Sequence, residues 1–274
     1  MKLADSVVLV TGGSSGLGAA AALMAWEAGA RVMLADRQPP PEDHPLRQLD
    51  ASGERWHWQA TDVADDTQGA AAVYTTQDRF GRLDVLLHAA GLAFAEKLHG
   101  REGPHQLATF RKVMEVNLLG SFNMMRLVVP AMLASPRRAP PPGADLTADS
   151  SGAPPPTCRG VIIQTASIAA FDGQMGQVAY AASKGGVAAM TLPAARDLAR
   201  DHIRVMTIAP GVFDTPLMRG LPDTARQTLE ASVPQPARLG HPHEYAALVR
   251  HIIENDYLNG EVIRLDGALR MGPR

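Results

Sequence analysis

The chain has little cysteine and little net charge. Its 274 residues include one cysteine, Cys158, so no disulfide can form within the chain, which fits a reducing compartment. Lysine and arginine number 26 against 28 aspartates and glutamates, a formal charge of -2. This balance gives no electrostatic case for binding nucleic acid or an anionic membrane surface. We expect the partner to be a small molecule or another subunit.

Long apolar runs are also missing from the sequence. No run approaches the ~18 residues of a membrane span, and the first residues lead directly into a strand pattern that leaves no room for a signal peptide. The sequence therefore predicts a soluble, cytoplasmic protein with no metal site. The length suits one open α/β sheet, so we expect a single domain over residues 1–274.

The most informative stretch is residues 6–18. Four apolar residues at 7–10 predict a buried strand, and Gly12, Gly16 and Gly18 then lead into an alanine-rich helix pattern. The free N–H groups and the positive dipole end of such a helix favour a phosphate, and glycines let a pyrophosphate approach the backbone. The alternative is a tight strand-to-helix turn that binds nothing.

An acidic residue follows the second predicted strand, at residues 31–35. Asp36 lies about 20 residues past the glycines, where a Rossmann unit places an acid on the adenosine ribose hydroxyls. A carboxylate there repels a 2′-phosphate and so favours NAD over NADP. Arg37 argues the other way, because an arginine at this point can pair with that phosphate.

The rest of the chain alternates between strand and helix patterns. Further strands are predicted at residues 55–59, 85–87, 161–163, 203–209 and 261–265, and helices at 15–28, 66–80, 107–133, 177–198 and 244–254. This alternation predicts a Rossmann-type, doubly wound parallel sheet of about seven strands with helices on both faces.

Three segments fall outside that alternation. Residues 38–53 are rich in proline and polar groups and predict a loop, and residues 213–236 predict a flexible substrate lid with a short helix. Residues 135–157 are rich in proline, alanine and serine, a composition that cannot build a packed core. We therefore expect a surface insertion there and not a domain boundary.

Polar and small residues collect where the predicted strands end. In a parallel sheet these positions share one edge, which is where ligands bind. The residues are Gly12, Asp36, Asp62, Gly91, Ser167 and Gly211. Asp62 could reach an adenine amino group or cap the next helix. His88 precedes small residues that leave space for a flat ligand, and we expect a structural role for it.

Two helices carry further candidates. Tyr180 and Lys184 are four residues apart and would share one helical face, although such a pair is also a common accident on a solvated helix. Asn117 falls inside a long helix, where an amide is not favoured intrinsically. Its side chain would then face solvent or bond locally.

Taken together, these residues resemble the short-chain dehydrogenases/reductases. The resemblance rests on Thr11-Gly12-x-x-x-Gly16-x-Gly18, Asp62, Ala89-Ala90-Gly91, Asn117, Ser167, Tyr180-x-x-x-Lys184 and Pro210-Gly211 with Thr215. It implies reversible hydride transfer between a secondary alcohol and a nicotinamide in a homotetramer. Longer similar stretches, such as residues 170–177 and 204–211, imply a 3-hydroxyacyl-CoA substrate, with or without a 2-methyl branch.

The resemblance also assigns roles residue by residue. It implies NAD bound through Gly12, Ser15, Gly16, Leu17, Gly18, Asp36, Asp62, Val63, Ala89, Gly91, Tyr180, Lys184, Phe213 and Thr215. Tyr180 would be the base, with Lys184 lowering its pKa, Ser167 holding the substrate oxygen and Asn117 holding a relay water. Gln174 would join Ser167 and Tyr180 in binding substrate. Ser15 favours NAD, because NADP-preferring relatives often carry a basic residue there.

Some alternatives stay open. An NADPH-dependent 3-oxoacyl reductase would use Arg37 to select its cofactor, and a hydroxysteroid dehydrogenase would suit the apolar substrate-side segments. A non-catalytic dinucleotide-binding scaffold would be expected to lose one of the catalytic side chains. Cations at Lys97, Arg101 and Lys112 could meet CoA phosphates or be solvated. Two features depart from the family: His88 replaces its usual Asn, and the proline-rich insertion is longer.

Overall fold

The sheet defines the architecture. A computed structural model describes residues 1–136, 158–220 and 222–273. Its strands are β1 (Val7–Thr11), β2 (Arg31–Asp36), β3 (Trp56–Ala60), β4 (Val85–His88), β5 (His99–Gly100), β6 (Gly103–Pro104), β7 (Gly160–Thr165), β8 (Ile203–Pro210) and β9 (Val262–Leu265). Seven of them form a parallel sheet in the order β3-β2-β1-β4-β7-β8-β9, and β5 and β6 form a small hairpin.

Helices cover both faces of this sheet. They are α1 (Gly16–Glu27), α2 (Pro45–Leu49), α3 (Asp66–Phe80), α4 (Leu107–Met114), α5 (Gly120–Ala134), α6 (Val178–Asp197), α7 (Pro216–Arg219), α8 (Asp223–Ala231) and α9 (Pro242–Glu254). A π-helical turn, Glu115–Leu119, joins α4 to α5, and short 3₁₀ turns lie at Ile168–Ala170 and Ala199–Asp201. The predicted doubly wound α/β fold is confirmed.

The strands are apolar throughout because both of their faces are buried. Along β1, Val8 and Val10 pack with α1 and α9 on one side, while Val7 and Leu9 pack towards α3 and α5 on the other. The strand order reverses at β1, which pairs with both β2 and β4. The carboxyl ends of β1 and β4 therefore flank the crevice in which this class of sheet binds ligands.

Several element boundaries follow the sequence closely. Helix α3 occupies the predicted residues 66–80, and Gly81 ends it in the left-handed conformation, with φ of 76°. The predicted loop at 38–53 contains the short helix α2, which the sequence analysis missed. The predicted lid contains α7 and α8. Of the predicted insertion at 135–157, residues 137–157 lie outside the described part of the chain.

One helical stretch is long and apolar. Leu107–Ala134 spans 28 residues and contains an 18-residue window with a mean hydropathy of 1.3, so by length and composition it could cross a membrane. Half of this window is buried inside the fold, and a single helix of this kind is weak evidence for a membrane span. Helix α5 contributes Met124, Val128 and Met132 to the core against β4 and β7, which accounts for its apolar composition.

Candidate active site

The glycine turn after β1 is built so that backbone packs directly on backbone. Gly12 has φ of 65°, and a Cβ atom there would lie 2.8 Å from the Ala90 nitrogen. A Cβ on Gly18 would lie only 2.1 Å from the Gly12 carbonyl oxygen. The Ser15 side chain makes no capping bond to a described residue, and no acid lies in the first turn of α1. This cradle fits the pyrophosphate of a dinucleotide.

Asp36 ends β2 beside this turn, and its carboxylate is held in a defined orientation. Oδ2 accepts the Ser14 backbone N–H at 3.1 Å, and Oδ1 accepts the Gln38 backbone N–H at 3.4 Å. Each oxygen keeps lone pairs for ribose hydroxyls. Arg37 is exposed. The carboxylate is therefore the better placed of the two to meet the ribose.

The predicted residues after β3 differ in their surroundings. Asp62 Oδ1 accepts the Ala64 backbone N–H at 3.0 Å, whereas the side chain of Asp65 caps α3 by accepting from Gln68. The alternative that Asp62 caps this helix is therefore wrong. Val63 is 4% exposed, and its carbonyl accepts from the Asn123 amide at 3.0 Å. Val63 thus packs against α5 more than it faces the crevice.

His88 holds the end of β4 to the end of β1. Thr11 Oγ1 accepts the Ala90 backbone N–H at 3.2 Å and shares a hydrogen bond with His88 Nδ1 at 2.9 Å. His88 Nε2 has no partner among the described residues. Burial, reinforced by the charge of Lys184, lowers the pKa of His88 to about 3. The imidazole is therefore neutral and structural at physiological pH.

Lys184, Asn117 and Gly91 meet behind the crevice. Lys184 is 4% exposed and donates from Nζ to the Thr165 carbonyl at 2.8 Å. A Cβ on Gly91 would lie 3.2 Å from Asn117 Oδ1 and 3.3 Å from Lys184 Nζ. Burial lowers the pKa of Lys184 to about 8, which leaves it mostly charged at neutral pH. A fixed cation therefore lies beside the end of β4.

Asn117 is fully buried, and both polar atoms of its amide are hydrogen-bonded. Oδ1 accepts the Leu92 backbone N–H at 2.8 Å, while Nδ2 donates to the Leu92 carbonyl at 2.9 Å and to Ser183 Oγ at 3.1 Å. The π-helical turn carries this side chain inward. Both expected placements, exposure to solvent and local bonding, are wrong, because the partners lie 25 and 66 residues away along the chain.

Ser167 and Tyr180 reach the same edge from β7 and α6. Ser167 lies just past β7, where its Oγ accepts the Ala169 backbone N–H at 3.1 Å. Burial raises the pKa of Tyr180, and contact with the Ser167 side chain opposes that shift. The centroid of the Tyr180 ring lies 6.0 Å from Lys184 Nζ. The predicted serine, tyrosine and lysine are therefore brought together.

The remaining predicted residues lie around this centre. Thr215 caps α7 and lies over Gly16, with its Cγ2 3.6 Å from where a Gly16 Cβ would be. Phe213 is 6% exposed and packs edge-on against Tyr245. Gln174 donates to the Gly272 carbonyl at 3.2 Å. Thr215 thus closes the glycine turn, while Phe213 faces the core.

Two residues of the site were missed by the sequence analysis. Ser183 is fully buried, accepts from Asn117 and donates to the Tyr180 carbonyl at 2.8 Å. Thr165 donates to the His88 carbonyl at 2.7 Å while its own carbonyl accepts from Lys184. The position of Ser183 directly before Lys184 was the available signal. Thr165 was marked by its place in Thr165-Ala166-Ser167 at a strand end, but only Ser167 was given a role.

Comparison with known proteins places this geometry in a family. The short chain dehydrogenase family matches residues 6–139 and 156–226. The chain belongs to this family and is an oxidoreductase. Membership implies a nicotinamide dinucleotide as cofactor, which agrees with the glycine cradle and Asp36.

Similar proteins of this family carry one recurrent name. The chain is 47% identical to the 3-hydroxyacyl-CoA dehydrogenase type-2 of Bos taurus over 269 residues, covering 97% of this chain and 96% of the relative. It is 45% identical to the enzyme of that name from Drosophila melanogaster, covering 98% and 99%. A crystal structure of 3-hydroxyacyl-CoA dehydrogenase type-2 from Mycobacterium avium matches all of both chains with a TM-score of 0.84 at 35% identity.

Proposed function

We propose that the protein oxidises a 3-hydroxyacyl-CoA, with or without a 2-methyl branch, to the 3-ketoacyl-CoA, with NAD as hydride acceptor. The observation that carries this proposal is the convergence of Ser167, Tyr180 and Lys184 at the cofactor edge of the sheet. The names of the similar proteins support the acyl-CoA substrate.

NAD is favoured over NADP at the adenosine end. The Asp36 carboxylate is oriented by two backbone N–H groups and would repel a 2′-phosphate. Ser15 is not basic, so the glycine turn offers no cation to a 2′-phosphate. The bound cofactor would supply the hydride acceptor and a positive charge near Tyr180. The residues proposed to hold it are Gly12, Ser15, Gly16, Leu17, Gly18, Asp36, Asp62, Val63, Ala89, Gly91, Tyr180, Lys184, Phe213 and Thr215.

Tyr180 is proposed as the general base that takes the hydroxyl proton of the substrate. A free phenol has a pKa near ~10, so ionisation at neutral pH needs about 4 kcal/mol of differential stabilisation. Burial raises the pKa of Tyr180 further, so the site must supply more than this amount. The cation of Lys184 supplies part of it by favouring the phenolate.

Ser167 and Asn117 support this proton transfer in different ways. The Ser167 hydroxyl is proposed to hold the substrate oxygen in line with Tyr180, with Gln174 completing the substrate contacts. The Asn117 amide is occupied by Leu92 and Ser183, so its side chain acts by positioning the turn that carries Tyr180. The relay water predicted beside Asn117 remains a prediction.

The protein is further proposed to act as a soluble, cytoplasmic homotetramer. Large apolar side chains are exposed along the outer faces of α5 and α6 and the turn between α4 and α5. Leu119 is 56% exposed, Phe122 49% and Leu192 45%. Such residues suit a contact with a second copy of the chain. Size-exclusion chromatography with light scattering measures the mass, and a monomer would contradict the proposal.

The deciding experiment is a matched panel of substrates and cofactors. The absorbance of reduced nicotinamide is followed with 3-hydroxybutyryl-CoA or a hydroxysteroid plus NAD or NADP, and with acetoacetyl-CoA plus NADH or NADPH, so that the cofactors are compared in the same direction. Tyr180→Phe gives the background rate. We expect the highest kcat/KM with the acyl-CoA and NAD. A preference for the steroid, or for NADPH, would replace the proposed function by one of the two alternatives.

One observation keeps the reductase alternative in the panel. Arg37 directly follows Asp36 and its side chain is exposed, so a 2′-phosphate could reach it. A non-catalytic scaffold has no such support, because Ser167, Tyr180 and Lys184 are all present and converge.

A further inference from the structure

One peptide group of the glycine turn is hydrogen-bonded to side chains at both of its polar atoms. The Gly13 carbonyl accepts from His44 Nε2 at 3.1 Å, and the Ser14 N–H of the same peptide donates to Asp36 Oδ2 at 3.1 Å. Ser14 Oγ also donates to the Gln38 carbonyl at 2.9 Å. The loop after β2 therefore fixes the plane of this peptide, from which the turn continues to α1.

His44 is built to hold this contact. It is 2% exposed, and its Nδ1 accepts the Leu46 backbone N–H at 3.3 Å, so the ring proton lies on Nε2 and points at Gly13. Burial lowers the pKa of His44, which keeps the ring in this neutral form. Leu46 is fully buried in the core and anchors the loop from beneath.

We propose that His44 is a positioning residue that determines cofactor choice, acting through the Gly13–Ser14 peptide on the carboxylate of Asp36. Asp36 owes one of its two orienting bonds to the Ser14 N–H. Without His44 the peptide can rotate, the Ser14 N–H leaves Oδ2, and the carboxylate gains rotational freedom. Ribose binding weakens and Arg37 is freer to approach a 2′-phosphate.

This inference rests on the proposed function, because it assumes that the ribose of a dinucleotide binds at Asp36. His44 lies on the loop after β2, whereas Tyr180 and Lys184 lie on α6. The effect should therefore appear in the KM for the cofactor and not in kcat.

Two substitutions separate the contact with Gly13 from the cap of α2. The side chain of His44→Gln can place its Nε2 where the imidazole Nε2 lies and donate to Gly13. His44→Asn keeps an oxygen that can accept from Leu46, and asparagine is a good N-cap, but it is too short to reach Gly13. The exposed His243→Asn serves as the matched control.

We expect His44→Asn to raise the KM for NAD about fivefold, the equivalent of one lost hydrogen bond, and to narrow the preference for NAD over NADP by a similar factor. Its kcat should stay within about twofold of wild type, while His44→Gln and His243→Asn should resemble wild type. Isothermal titration of NAD and thermal unfolding accompany the kinetics.

Other outcomes would overturn the inference. If His44→Gln were the impaired variant and His44→Asn were normal, the residue would only cap α2. Equal losses in both variants, or a parallel fall in kcat, would indicate packing alone. A wild-type protein that prefers NADP would overturn the proposed cofactor, while the ranking of the two variants for the cofactor that binds would still decide the role of His44.

Discussion

The two halves of the crevice are formed by different kinds of chemical group. On the β1–β2 side, the site consists mainly of backbone, namely glycines and free N–H groups. One side-chain carboxylate, that of Asp36, lies at its edge. On the β4–β8 side it consists of buried polar side chains, and His88, Asn117, Ser183 and Lys184 are each at most 4% exposed. Substitutions that add atoms should therefore impair the first half. Substitutions that remove polar groups or change their charge should impair the second half.

The difference also concerns stability. Backbone groups on the cofactor side bind a ligand without burying a charge, whereas Lys184 holds a buried ammonium on one carbonyl. Burying such a charge destabilises the folded state. The half proposed to carry out catalysis is therefore the less stable one, as is common for active sites.

The largest expected effect tests whether the chemistry belongs to the second half. Tyr180→Phe removes only the hydroxyl, so kcat should fall by about 10²–10⁴, the usual contribution of a general base. Initial rates with saturating NAD measure the loss, and calorimetry checks that NAD still binds. A variant that turns over like wild type with NAD bound would place the base elsewhere.

Gly18→Ala tests the backbone half. The added Cβ would lie 2.1 Å from the Gly12 carbonyl, and a backbone atom cannot simply move aside. Overpacking of this kind costs about 1–3 kcal/mol of unfolding free energy, and the shifted turn should weaken NAD binding about tenfold or more. Urea unfolding and calorimetry measure the two effects.

Gly100→Ala is the matched control, because no described atom lies within 4 Å of its new Cβ. If Gly18→Ala bound NAD as tightly as wild type, the inference that added atoms impair the backbone half would be wrong.

Lys184→Met should inactivate the enzyme and stabilise it. The pKa of Lys184 falls from 10.5 to about 8 in the folded protein, so the charged form is disfavoured by folding at neutral pH. That penalty is about 3 kcal/mol, and the lost bond to Thr165 offsets ~1 of it, for a net gain of about 2 kcal/mol at pH 7. Above the unfolded pKa of 10.5 the penalty disappears, so the variant should there be about 1 kcal/mol less stable than wild type because of the lost bond.

Urea unfolding of the cofactor-free protein measures this gain, with the exposed Lys97→Met as control. A less stable Lys184→Met would mean that the ammonium is better solvated than its burial indicates.

His88→Asn should change the pH dependence of stability. The folded pKa of His88 is about 3 against 6.5 unfolded, so the unfolded chain binds the extra proton and wild type loses stability as the pH falls below 6.5. Asparagine cannot titrate. Between pH 7 and 5.5, wild type should lose about 1 kcal/mol more than the variant.

Parallel urea titrations at the two pH values measure this difference, and the exposed His243→Asn should leave the pH dependence as in wild type. Identical slopes for wild type and His88→Asn would show that His88 is already solvated in the folded protein.

The sequence predicted well what depends on local pattern. Helix α3 was placed correctly because Phe80 closes an amphipathic run and Gly81 suits a left-handed end. The positions of Gly12, Ser167 and Lys184 follow from strand ends and helical spacing, both of which can be read from the sequence. For the same reason the fold class was predictable from the alternation of strand and helix patterns, whereas the strand order comes from the structure.

What depends on tertiary contact was not predictable. His44 lies in a proline-rich segment without periodicity, and its partner Gly13 is 31 residues away. The capping of α3 by Asp65 instead of Asp62 depends on where the chain turns after β3. Asn117 points inward because of a π-helical turn, a backbone irregularity that residue types alone do not indicate.

That π-helical turn also makes the number of residues between α4 and α5 important for the site. A π turn holds one residue more than the α-helix around it, so deleting one residue from Glu115–Leu119 would return the segment to regular α-helix and leave α5 in phase with α4. Met124 would keep its place in the core, whereas the bulge that carries Asn117 inward would be lost, and with it the bonds to Leu92. A one-residue deletion here should therefore disable the site while α5 stays packed on the sheet.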